Sequence, residues 1–201
     1  MQIQQRPYLS DPKQFSNVSD FKAEILARRG VKSEKELDLK LKYLLAPTMK
    51  GLQRAIDLVN DAIDQQLKIV IVGDYDADGA TSTALMILAL REMGANVEYL
   101  VPDRFKYGYG LTTKIADLAF ERFQPDLLIT VDNGISSHAG VKQAQSYGMK
   151  VIITDHHLTT KEIPDAEAVV NPNQLGCDFP SKALAGVGVA FYLLANLSSQ
   201  R

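Results

Sequence analysis

The 201-residue chain holds a single cysteine, Cys177, so no internal disulfide can form. A lone cysteine reads as a small hydrophobe kept in a reducing compartment rather than as a reactive group. Nor is there an excess of basic residues. The 22 Lys and Arg stand against 24 Asp and Glu, a formal net charge of −2. That balance excludes the bulk attraction of a strongly basic nucleic-acid binder. An anionic substrate would have to be held by local Arg and Lys, or by metal. No apolar run approaches the ~20 residues needed to cross a bilayer. No charged-then-apolar leader opens the chain, and neither repeats nor low-complexity segments occur. The expected setting is the cytoplasm, away from membranes. Roughly 200 residues fit one domain, or one with a small appendage.

What is present divides near residue 67. The first stretch is rich in Lys, Glu, Asp and Gln. Phe21, Ile25 and Leu26 suggest an apolar helix face closed by Gly30, and Ser33 with Glu36 is a possible capping box. Leu52, Ala55, Ile56, Val59 and Ile63 recur at helical spacing. Residues 1–67 therefore read as a helical appendage that runs into a core domain over 68–201. There the pattern alternates. Apolar runs at Ile69–Val72, Val97–Val101, Leu127–Val131, Val151–Ile153 and Ala168–Val170 suit buried parallel strands. Helical patterns lie near Ala80–Met93, Thr112–Phe123, Ser136–Tyr147 and Ala183–Leu197, with a short turn around Thr160–Glu162. Gly94 and Gly148 sit where helices should stop. The fold class is α/β: a parallel sheet with helices on both faces.

The strand ends carry the chemistry. The first apolar run leads into Asp74-Tyr75-Asp76-Ala77-Asp78-Gly79, three carboxylates at alternate positions. If extended, they point to one side and converge. Like charges so close are tolerable when a multivalent cation neutralises them. The third run ends in Asp132-Asn133-Gly134 and the fourth in Asp155-His156-His157. In open α/β sheets ligands bind outside the carboxyl ends of strands, where strand order reverses. A 2-1-3-4-5 order would bring these groups together. Carboxylates alone suit Mg2+ or Ca2+, and added imidazole moves the choice toward Mn2+ or other transition ions. Five or six such side chains exceed the needs of one octahedral ion. Two ions about 3.5–4 Å apart are the better fit, and in-line phosphoester hydrolysis is their natural reaction.

Plainer readings explain fewer of these features. An EF-hand loop wants Glu at its twelfth position, which here is Leu85. A phosphorylation-receiver domain needs Lys after the fifth strand, where Asn171-Pro172-Asn173 stands, and leaves two histidines unexplained. Turn chemistry could account for Asp132-Asn133-Gly134 alone, and a surface loop for Asp155-His156-His157 alone. Their conjunction points to metal. His138 reads as a helix-surface residue.

These segments resemble the first three motifs of the DHH phosphoesterase superfamily: Asp74 to Gly79, Val131 to Ser136, and Asp155-His156-His157. Pro102-x-Arg104, Gly108-Tyr109-Gly110-Leu111 and Leu184 to Phe191 resemble its RecJ-type exonucleases. So do Arg29-Gly30-Val31 and Leu44 to Pro47. The resemblance implies a DHH-type domain and 5′-to-3′ hydrolysis of single-stranded DNA in recombination and repair. It implies two Mn2+ or Mg2+ ions, and a single-stranded-DNA-binding protein as partner. By resemblance Asp76, Asp78, Asp132 and His156 are metal ligands. Asp74 binds directly or through water, and Asp132 is central enough to bridge. His157 would contact the scissile phosphate or complete the metal shell, and Asp155 would orient a histidine. Thr81 and Ser82 would open the following helix beside phosphate oxygens. Arg104 would hold a backbone phosphate, and Tyr109 would stack on a base. Their alternative is ordinary capping and loop structure.

The pattern departs at Tyr107, where RecJ-type proteins commonly carry an acid. A fourth motif, with a further metal-binding Asp, and a second domain are expected to follow Arg201, so this chain alone should be weak or inactive. Two rival readings remain. One is a pyrophosphatase or a short-oligonucleotide or cyclic-dinucleotide phosphodiesterase of the same superfamily. The other is a non-catalytic metal-binding interaction module.

Overall fold

The computed structural model describes residues 4–38, 40–159 and 162–201. The expected turn around Thr160–Glu162 falls on residues 160 and 161, outside the described residues. Two units are distinguished, Met1–Leu45 and Ala46–Arg201. In the first, α1 (Asp20–Arg28) is joined by short 3-10 turns at Pro12–Gln14, Glu34–Leu37 and Leu41–Tyr43. The buried face of α1 is Ala23 and Ala27 against Phe15, with Leu26 partly covered. Phe21 and Ile25 are exposed, which corrects the expected apolar face. Small residues four apart share one side of a helix, and Phe21 and Ile25 stand about 200° round it. The Ser33–Glu36 capping box also does not close. The Glu36 carboxylate accepts the Lys32 N–H instead, at 2.8 Å.

The second unit opens with α2 (Leu52–Asp64), whose Leu52, Ala55, Ile56, Val59 and Ile63 are buried as their spacing requires. Then follow β1 (Lys68–Val72), α3 (Ala77–Glu92), β2 (Asn96–Leu100), α4 (Arg104–Tyr107) and α5 (Thr113–Phe123). The chain continues through β3 (Leu127–Val131), α6 (His138–Ser146), β4 (Lys150–Thr154), β5 (Ala168–Val170) and α7 (Gly186–Gln200). The strands pair in parallel, in the order β2-β1-β3-β4-β5, the arrangement expected. Gly94 and Gly148, at φ 81° and 83°, follow α3 and α6 in a conformation that continues no helix.

Alternation along the strands splits the core into two layers. Ile69, Ile71, Leu127, Ile129 and Ile152 face α2, α3 and α7. Val70, Val72, Leu128, Val151 and Ile153 face α5 and α6. Both faces are covered, so the central strands are mainly apolar, with Thr130 and Thr154 buried among them. Cys177 is buried in the first layer. Among the described residues no helix is long and apolar enough to cross a membrane.

Candidate metal centre

β1, β3 and β4 are neighbours that end level: Val72 pairs with Thr130, and Val131 with Thr154. The chain moves outward from β1 to β2 and then returns to β3 on the other side of β1. The next residues after all three strands therefore enter the crevice where strand order reverses.

Asp74 follows β1 and is buried. Asp76 is extended and caps α3, its Oδ1 accepting the N–H groups of Asp78 at 3.1 Å and Gly79 at 3.0 Å. This cap starts the helix at Ala77, three residues before the expected Ala80. Asp78 is thus already helical, and the acids meet through a turn and a cap rather than through strand alternation. After β3, Asp132 takes φ 61°, a left-handed conformation costly to a residue with a Cβ. The Asn133 amide donates to the carbonyls of Val72 at 3.2 Å and Val131 at 2.8 Å, tying the end of β3 to β1. After β4, the buried Asp155 carboxylate accepts the backbone N–H groups of Ile135 at 2.9 Å, His156 at 2.7 Å and His157 at 3.0 Å. It also lies 2.7 Å from His157 Nδ1. With that nitrogen protonated, Nε2 turns outward, 3.5 Å from the Tyr109 hydroxyl.

Two candidate ligand sets result. Side-chain donor atoms of Asp74, Asp76 and Asp132 lie within 4.8 Å of one another, and so do those of Asp132, His156 and His157. Asp132 belongs to both. His156 Nε2 is 3.1 Å from Asp132 Oδ1 and 3.5 Å from Asp78 Oδ2. Both oxygens of Asp78 also accept backbone N–H groups at the start of α7, from Gly186 and Val187, at 2.7 Å each.

The electrostatics match. Burial, then the charges of Asp78 and Asp76, push the Asp132 carboxyl up from 3.8 to about 7. Burial opposes the charged form of His157, but the hydrogen bond to Asp155 and the charges of Asp155, Asp132 and Asp76 outweigh it, and its pKa is raised. Burial, then the charges of Asp155, Asp74 and Asp132, raise Tyr109. Asp132 is 2% exposed, yet its Oδ1 has no partner in hydrogen-bond geometry among the described residues. A buried carboxylate oxygen left open between acids and imidazoles fits a divalent cation, and this mixed donor set suits Mn2+ or Mg2+.

The remaining candidates are placed differently. Arg104 Nη2 donates to both oxygens of Asp74, at 2.8 and 2.7 Å, and its guanidinium lies over the rings of Tyr75 and Tyr109. Thr81 and Ser82 lie one turn inside α3 rather than at its opening. The Thr81 hydroxyl donates to the carbonyls of Ala77 and Asp78, and that of Ser82 to Asp78. His138 is exposed at the start of α6, as expected. Sequence reasoning missed Asn171 and Asn173, whose amides donate to the backbone carbonyls of His157 and His156. Their clustering in Asn171-Pro172-Asn173 after a strand was the available signal.

Known proteins resemble this arrangement. The family model described as DHH family, N-terminal domain, matches residues 68–201. The single-stranded-DNA-specific exonuclease RecJ of Escherichia coli strain K12 is 51% identical over 175 residues, 86% of this chain and 30% of that protein. The RecJ of Haemophilus influenzae is 54% identical over 168 residues, 83% of this chain and 29% of that protein. The crystal structure of RecJ in complex with Mn2+ from Thermus thermophilus superposes with a TM-score of 0.72 at 36% identity, covering 91% of this chain and 26% of that one. The chain thus spans about a third of the length of the relatives it matches.

Proposed function

The chain belongs to the DHH family, and from that premise we propose that it carries the metal-binding catalytic half-site of a 5′-to-3′ exonuclease acting on single-stranded DNA. In this reading residues 68–201 carry the catalytic motifs, and 1–67 are a helical lead whose α2 belongs to the second unit and packs into its core. The observation that carries it is Asp132: a buried carboxylate common to two candidate ligand sets at the strand-order switch, its Oδ1 making no hydrogen bond among the described residues and lying 3.1 Å from His156 Nε2.

Asp74, Asp76 and Asp132 would hold one Mn2+ or Mg2+, and Asp132 with His156 a second, with Asp78 beside it. Bound ions there supply neutralising charge for a phosphate and lower the pKa of a coordinated water. The protein's own part is positional. Asp155 fixes the tautomer of His157, so that Nε2 faces the open side and can donate to a phosphate oxygen. The raised pKa of His157 favours that protonated form. Arg104, held by Asp74 between two tyrosine rings, presents a planar cation to the nucleic-acid backbone. Tyr109, half exposed beside His157, offers a ring on which a base can stack. Thr81 and Ser82 are assigned to the α3 helix rather than to substrate, because their hydroxyls are engaged by its carbonyls. A single-stranded-DNA-binding protein is the partner that goes with this reading, and the cytoplasm its compartment.

Calorimetric titration with Mn2+, paired with hydrolysis of end-labelled single strands, tests the reading. Uptake of Mn2+ that Asp132→Ala abolishes, with slow metal-dependent release from the 5′ end, is expected. Equal uptake by parent and variant, or none by the parent, overturns it. Faster turnover of dinucleotides than of long single strands would move the substrate to the short-oligonucleotide class.

A further inference from the structure

α7 opens without a local side-chain cap: its N-cap residue is Ala185. Its first two N–H groups, on Gly186 and Val187, are taken instead by the carboxylate of Asp78, at 2.7 Å each. The same turn presses on Asp132. A Cβ added to Gly186 would lie 2.6 Å from Asp132 Oδ1, 2.8 Å from its Cβ and 2.9 Å from its Cγ. Gly186 is buried, and the oxygen it faces, Asp132 Oδ1, makes no hydrogen bond among the described residues and lies 3.1 Å from His156 Nε2. One helical turn therefore contacts two acids that reach the centre from different elements, α3 and the end of β3.

We propose that the first turn of α7 is a positioning element of the metal centre, with Gly186 as the positioning residue that sets the gap between Asp78 and Asp132. The inference rests on the metal reading above. Two backbone N–H groups and the positive end of the helix offset the charge of Asp78 and fix the plane of its carboxylate. The missing side chain at 186 leaves Asp132 its place with Oδ1 open. A methyl group there must displace Asp132, because the atoms it meets belong to that short, buried side chain. Neither Gly186 nor Val187 has a side chain able to bind metal, yet their geometry decides how well the acids do.

The chain is titrated with Mn2+ by calorimetry and by electron paramagnetic resonance, as parent, Gly186→Ala and Gly188→Ala. The two variants make the same change on the same helix, and Ala favours the helix in both. At Gly188 the three atoms nearest the new Cβ all belong to the Leu184 side chain, which can turn aside. Gly186→Ala is expected to bind Mn2+ at least tenfold more weakly, and Gly188→Ala within twofold of the parent. Parent-like affinity in Gly186→Ala, or an equal loss in both variants, overturns the proposal. A parent that takes up no Mn2+ overturns the metal reading, and this inference with it. Should Gly186→Ala fail to fold, the parent decides. Titration with Mg2+ is expected to move the Gly186 and Val187 amide resonances in step with metal uptake, and unmoved resonances overturn the proposal.

Discussion

One oxygen of Asp155 holds His157 twice, lying 2.7 Å from ring Nδ1 and accepting the backbone N–H at 3.0 Å. The same carboxylate takes the N–H groups of His156 and Ile135. Asp155→Asn keeps the shape but removes the charge and turns one acceptor into a donor. Buried N–H groups left unpaired cost about 1–3 kcal/mol, and denaturant unfolding is expected to register that loss. Burial opposes the charge on His157, so without the Asp155 charge its pKa is expected to fall. In the parent, a raised folded pKa gives stability that is complete below about 6.5 and is lost as pH rises through the folded value. The gap between parent and variant should therefore be widest on the acid side of neutrality. An imidazole NMR titration of His157 identical in the two proteins would sink this account.

Asp132 gives a second pH dependence. Its folded carboxyl titrates at about 7 against 3.8 for an ordinary one, so the metal-free native state binds more protons than the unfolded chain between those values. Stability present below pH 3.8 is lost as pH climbs through about 7, a change on the order of 4 kcal/mol. Asp132→Asn should flatten that slope and melt higher than the parent above pH 7 without metal. Mn2+ should raise the parent's melting temperature and leave the variant's unmoved. A parent whose metal-free stability is level from pH 4 to 7 would refute the electrostatic account of the site.

Much of this was written in the sequence, and the exceptions share a cause. All five strands sit within a residue of their apolar runs, because the strand residues that face the two core layers are apolar. The strand order was legible because acids after the first, third and fourth strands needed those strands as neighbours. The start of α3 was not. Alternating acids suggest an extended chain, while the Asp76 side chain bonds its own backbone and starts the helix early. The hold of Arg104 on Asp74 and the seat of Gly186 against Asp132 are long-range approaches that no local spacing records. On α1 the large apolar residues drew the eye, and two alanines made the contact.

Gly140 tests the packing that carries Tyr109. A Cβ there would overlap the carbonyl oxygen of Leu111, and backbone cannot turn aside. The Leu111 N–H donates to Ser137 Oγ at 3.0 Å, so this contact fixes the loop of Gly108, Tyr109 and Gly110 against the start of α6. Gly140→Ala is expected to cost about 3 kcal/mol by overpacking. Gly148→Ala meets no atom within 4 Å and carries only the left-handed backbone cost of about 1–2 kcal/mol. Urea unfolding ranks the two, and the reverse order would show that Leu111 yields.

Asp76 has two roles that one pair of variants separates. As a helix cap its Oδ1 accepts two N–H groups of α3, and as a ligand candidate its carboxylate joins Asp74 and Asp132. Asp76→Ala removes both roles. Its cap loss should cost about 1 kcal/mol of metal-free stability. That cost is lessened by relief of repulsion, because Asp76 is among the charges that raise Asp132. Asp76→Ser restores a capping oxygen of good propensity but no carboxylate. It is expected to exceed the Ala variant in metal-free stability and to match it in weakened Mn2+ binding. Thermal melts without metal and calorimetry with Mn2+ read the two roles independently. If Asp76→Ser recovers Mn2+ affinity along with stability, Asp76 acts only through the helix, and the first ligand set loses its outer acid.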